Sequence, residues 1–96
     1  MSTFLNCQIR WTDYLVYKMN VRGYQKEKIE HIIRFSLERY FDTETRRYVI
    51  IGMHGDKEVI IPFDKEGKTI IPVTIHAISR QQIRFRKLSG RFEDAK

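Results

Sequence analysis

The chain has 96 residues, with 18 Lys or Arg against 12 Asp or Glu and a formal charge of +6, which suits a single domain (1–96) with one small core. No apolar run approaches the ~18 residues of a spanning helix, the start MSTFLNCQIR lacks the basic and apolar regions of a signal peptide, and the lone Cys7 excludes an internal disulfide and any cysteine metal-site spacing. The cytoplasm is the expected compartment, and nucleic acid or an acidic protein is the expected partner of so basic a chain.

Phe4 to Trp11 alternates loosely, as a short first strand does. At Thr12-Asp13 the period changes: Thr12 can cap a helix carrying Tyr14, Leu15 and Met19, and Arg22-Gly23 ends it with Gly23 left-handed. A second helix is expected from Gln25 to about Arg39, where Ile29, Ile32, Ile33, Ser36, Leu37 and Tyr40 form one stripe. Its other side, Lys26, Glu27, Lys28, Glu30 and Arg34, reads as a solvated face of mixed sign. After Asp42-Thr43 the pattern becomes β. Strands over Arg47–Met53, Glu58–Phe63 and Lys68–Ala77, joined at His54-Gly55-Asp56 and Asp64–Gly67, make an antiparallel meander. Pro62 and Pro72 lack the donor a ladder needs, so each should mark an edge, a bulge or a strand end. Ser79 with Gln82 forms a capping box, and Ile78 with Ile83 a hydrophobic staple, opening a last helix that runs to about Leu88 before Gly90. The tail from Phe92 is expected to fray. The fold class is therefore α+β: two N-terminal helices on an antiparallel meander, then a basic C-terminal helix.

All of the charge excess lies between Lys68 and Arg91. That stretch holds Lys68, Arg80, Arg84, Arg86, Lys87 and Arg91 and no acid, so the remainder, with 12 residues of each sign, is neutral. A concentration of this kind is a footprint for a polyanion.

The order of elements, with Met19-Asn20-Val21-Arg22-Gly23 and Thr74-Ile75-His76-Ala77-Ile78-Ser79-Arg80, resembles the BrnT-like toxins of the RelE-type superfamily and a related family sharing the Arg-Gly turn. Those toxins usually read Lys-His-Gly where this chain has Val21-Arg22-Gly23. The related family commonly has His and Arg where Tyr14 and Lys18 stand here. The resemblance implies a ribonuclease that degrades messenger RNA, on the ribosome or free, and is neutralised by a co-encoded antitoxin.

Metal-free RNA cleavage uses the 2′-OH of the substrate, and asks the protein for a base, positive charge at the phosphate and an acid for the leaving oxygen. His76 supplies the imidazole and Arg80, on the first helical turn, the phosphate clamp. Arg84, at i+4 from Arg80, extends the ridge. Arg86 and Lys87 either join it or form the solvated side of the helix. Lys18 is a third candidate for the chemistry, and it forms the opposite wall with Arg22, unless both simply offset the helix dipole. Tyr17 or Tyr24 can stack a base or donate a proton. Glu58 and Asp64 are alternative bases. His76 can also be a satisfied structural histidine, and His54 is read as a turn residue. His31, His54 and His76 lack metal-ligand spacing, so no metal or other cofactor is expected. The same basic surface equally suits an RNA- or DNA-binding module without cleavage, or a domain that docks an acidic protein segment.

Overall fold

The computed structural model describes residues 6–95. It is an α+β domain of three helices and a seven-stranded, mostly antiparallel sheet. The first strand, β1 (Gln8–Ile9), runs parallel to β5 (Thr69–Pro72); the part of the expected strand before residue 6 lies outside the described residues. In α1 (Asp13–Arg22) the Thr12 side chain accepts from the Leu15 N–H, and Gly23 ends the helix at φ 76°. Only glycine adopts that conformation without strain, and it lets the chain turn at once into α2 (Lys26–Phe35).

The second helix is shorter than its apolar stripe suggests. Ser36 leaves helical geometry, and the buried Arg39 guanidinium folds back to donate to the Ile33 and Ser36 carbonyls. That satisfies the helix end and starts a strand the hydrophobic period concealed, β2 (Arg39–Asp42). Leu37 is consequently 69% exposed and Tyr40 belongs to the sheet.

The meander follows as β3 (Arg47–His54), β4 (Lys57–Glu66) and β5, with β6 (His76–Ala77) continuing beside β4 after a break. Pro72 ends β5 as expected. Pro62 instead sits inside β4, opposite Val49 of β3. Its carbonyl accepts from Val73 in the break between β5 and β6, so its donorless nitrogen faces the gap and costs no ladder bond. The last helix, α3 (Arg80–Leu88), opens with the Ser79–Gln82 capping box intact, and Gly90 follows it at φ 86°. The start of the tail does not fray: Phe92–Asp94 form β7 on the outer side of β2, with Phe92 buried and stacked on Tyr40, and residue 96 lies outside the described residues.

The strand order is β1-β5-β4-β3-β2-β7. The runs Val49-Ile50-Ile51 and Val59-Ile60-Ile61 are apolar at every position because this sheet is covered on both faces. One face packs Leu15, Met19, Ile29, Ile32 and Ile33 of α1 and α2 against Ile50, Val59, Ile61, Ile70 and Ile75. Trp11 and Cys7 lie half-buried against that layer. Gly52 lets α2 approach closely, since a Cβ there would lie 2.5 Å from Ile32 Cγ2. The other face carries Tyr40, Val49, Ile51, Ile60, Ile78, Ile83 and Phe92, with α3 laid over it. Nine residues of helix are too few to cover that face completely, and Ile83 is the one buried side chain α3 contributes.

Candidate nucleic-acid interface

Three elements come near one another at His76: the C-terminus of α1, the two-residue β6 and, through the half-buried Arg86, α3. Arg22, the last residue of α1, donates through Nη1 to the Ile75 carbonyl and lies 3.0 Å from His76 Nδ1. A guanidinium can only donate, so Nδ1 is the accepting nitrogen and Nε2 carries the proton. Partial burial, followed by the charges of Arg22, Lys18 and Arg86, pushes the His76 pKa below its ordinary value of 6.5. The imidazole is neutral at physiological pH. Among the described residues none of Lys18, Arg22 and Arg86 is ion-paired with a carboxylate. Arg86 lies over the Phe92 ring at 5.5 Å and Lys18 over Tyr14 at 5.4 Å. Such positions keep a side chain placed without neutralising it.

Arg80 is elsewhere. It does not stand beside His76 but is clamped by two carboxylates, with Nη1 and Nη2 on Glu38 at 2.8 and 2.9 Å and Nη1 on Glu58 at 2.8 Å. These acids are distant in sequence, so a segment without acids of its own is still neutralised at its first arginine. The physical reason is local: Arg80 opens α3, where a positive charge opposes the helix dipole and two carboxylates offset it. The clamp raises the Arg80 pKa and holds that of Glu38 below the usual carboxylate value. Tyr40 donates to Glu38 at 2.6 Å, and burial together with that bond pushes its hydroxyl up to about 12. Glu58 and Asp64 are both occupied, Asp64 by Arg47 at 3.0 Å. Arg91 is likewise bound to the buried Asp42, at 2.9 Å.

The remaining candidates divide. Arg84 is exposed and has no ion pair among the described residues, but it is not among the charges acting on His76. Lys87 lies over Tyr40, 5.3 Å from the ring centroid. Tyr17 is 62% exposed on α1. Tyr24 is buried against His54, edge to face at 5.1 Å, and cannot receive a base. His54 closes β3 rather than sitting in the turn, and its Nε2 accepts from the Gln25 N–H at the start of α2. No group of three or more potential metal ligands occurs among the described residues, and no helix there is long and apolar enough to cross a membrane.

These shifts set a pH profile of stability. His76, Glu38 and Asp42 all have lowered folded pKa values. For Asp42, burial alone would raise it, and the bonds from Arg91 and the Glu44 and Thr45 N–H groups outweigh that. In each case the unfolded chain takes up the proton first, so the stabilisation is complete above the unfolded value and is lost as pH falls through the folded one. Tyr40 is the reverse: its contribution is intact below about 10 and is lost as pH rises toward about 12. Urea-unfolding midpoints are expected to fall on both sides. His76→Ala should flatten the decline just below pH 6.5 and Tyr40→Phe the alkaline one.

No protein family, curated protein or solved structure matches this chain.

Proposed function

We propose that this domain binds single-stranded RNA through its backbone phosphates and cleaves it by transesterification, as the toxin component of a toxin–antitoxin pair acting on messenger RNA in the cytoplasm. The observation that supports this is the group of unneutralised cations, Lys18, Arg22 and Arg86, around one neutral imidazole. Like charges gathered without acids raise the energy of the free protein, and a phosphate relieves them. A cognate antitoxin with an acidic segment would answer the same charge.

In the reaction, the entering phosphate draws Arg22 away from His76 Nδ1 and frees that nitrogen to take the 2′-OH proton. The 2′ oxygen then bonds to phosphorus and the P–O5′ bond breaks. The imidazolium returns the proton to O5′, leaving a 2′,3′-cyclic phosphate and a 5′-hydroxyl. Lys18, Arg22 and Arg86 stabilise the charge on the phosphorane. Arg80 is given no part in this step, because Glu38 and Glu58 already offset its charge.

The contact between Arg22 and Nδ1 favours a second reading, in which RNA is held and no bond breaks because the base nitrogen stays occupied. Both readings require the phosphate site. The Arg22→Ala/Arg86→Ala double variant should therefore bind a single-stranded RNA about 10- to 100-fold more weakly at ~0.1 M salt. Arg84→Ala, on the same helix as Arg86, should change affinity by less than about threefold. Equal losses from both variants would leave only a diffuse basic surface.

A further inference from the structure

Helix α1 turns a row of large apolar side chains to solvent. It buries Leu15 and Met19 against the sheet, while Tyr14, Tyr17 and Val21 are each more than half exposed. Positions i, i+3 and i+7 fall on one stripe of a helix, so these three side chains are neighbours. Single exposed hydrophobics need no explanation, but a row of them marks a contact surface. Lys18 and Arg22 border the row, and both act on His76. Neither has a carboxylate partner among the described residues. They stand one helical turn apart, about 6 Å along the axis, close to the separation of successive phosphates in an extended single strand.

The two tyrosines differ. Lys18 Nζ lies over the Tyr14 ring, 5.4 Å from its centroid. Among the described residues Tyr17 makes no ring or cation contact.

We propose that this row is a stacking platform for the bases of a single-stranded RNA whose phosphates lie at the cation cluster, with Tyr17 as its principal contact. The proposal rests on the phosphate-binding reading and deepens it. The ligand becomes a run of at least two nucleotides with unpaired bases, because the bases of a duplex are stacked on one another and turned inward. Every base has a π-face, so such a platform adds affinity without demanding a sequence. Rings beside uncompensated cations match the alternation of base and phosphate along a strand. An apolar protein segment would cover the rings and leave Lys18 and Arg22 without an anion.

Calorimetric titration of the full chain with a short 2′-O-methylated oligoadenylate, which cannot be cut, and with the same backbone lacking its bases tests this. The oligonucleotide with bases is expected to bind ~10-fold more tightly than the abasic one. Tyr17 is the residue to change, since Tyr14 also holds Lys18. Tyr17→Leu, on an exposed position where the fold does not depend on the ring, should weaken the base-bearing oligonucleotide about 5- to 10-fold, and Tyr17→Phe, which keeps the ring, should change it by less than about twofold. Both variants should bind the abasic backbone as the wild type does. If the abasic backbone binds as tightly as the oligonucleotide with bases, the platform is refuted and the phosphate site stands. If neither binds, the phosphate site fails along with it. Base-dependent affinity that survives Tyr17→Leu would overturn the role of α1 and leave its apolar row to a protein partner.

Discussion

His76→Ala is expected to slow cleavage of a single-stranded RNA by about a hundredfold or more, with RNA affinity changed by less than about threefold. The split follows from charge. His76 is neutral at physiological pH, held so by partial burial and by Arg22, Lys18 and Arg86, and a neutral ring adds little to the attraction of a phosphate. Among the described residues its nitrogen is the group placed to take a proton, since the cations around it are donors and Asp42, Glu58 and Asp64 are bound to arginines. The expected products carry a cyclic phosphate, and a 2′-deoxy substrate should bind without being cut. Cleavage that survives the substitution would remove the imidazole from the chemistry. Wild-type protein that binds RNA tightly and never cleaves it would establish the second reading.

Ile83→Ala is expected to cost about 2–5 kcal/mol, a large part of the ~5–15 kcal/mol that holds such a domain folded. Ile83 is 1% exposed, and it is the buried side chain through which α3 grips the sheet. Phe85 and Leu88 on the same helix are 70% and 82% exposed and cannot take its place. Because α3 also carries Arg86, loosening the helix should weaken RNA binding at concentrations of denaturant where the sheet survives. Ile83→Val, which removes a single methylene, should cost about 0.5–1.5 kcal/mol. Urea unfolding followed by circular dichroism checks both. A loss below ~1 kcal/mol for Ile83→Ala would mean that α3 is held by something other than this contact.

Local signals accounted for most of the architecture. Thr12, Gly23, the Ser79–Gln82 box and the glycines in the meander each act within a few residues, so their effects can be read from the chain alone. Two strands escaped that reading. Residues 39–42 continue the apolar spacing of α2, and only the folding back of Arg39 onto the helix end turns them into β2. Phe92–Asp94 looks like a loose tail until β2 exists to pair with it.

The site divides in the same way. Arg22 meets His76, and the charges of Lys18 and Arg86 act on it, whereas Arg80 and Arg84, the residues the helix spacing put forward, are not among those charges. The meander register does place Glu58 beside Ile78, two residues from Arg80, through the bond from the Ile78 N–H to the Glu58 carbonyl. The hairpin register alone, which pairs Phe63 with Pro72, would set Lys57 there, and the break after β5 shifts it by one residue, so only the neighbourhood of Glu58 was deducible from the predicted turns. Glu38 was not, because it depends on β2.

The salt dependence of RNA binding tests the cation cluster most directly. With Lys18, Arg22 and Arg86 each displacing a counterion from a single strand, the logarithm of the association constant should fall linearly with the logarithm of salt at a slope of about −2, and Arg22→Ala/Arg86→Ala should reduce it to about −0.7. A slope near zero, or one that the double variant leaves unchanged, would contradict the account.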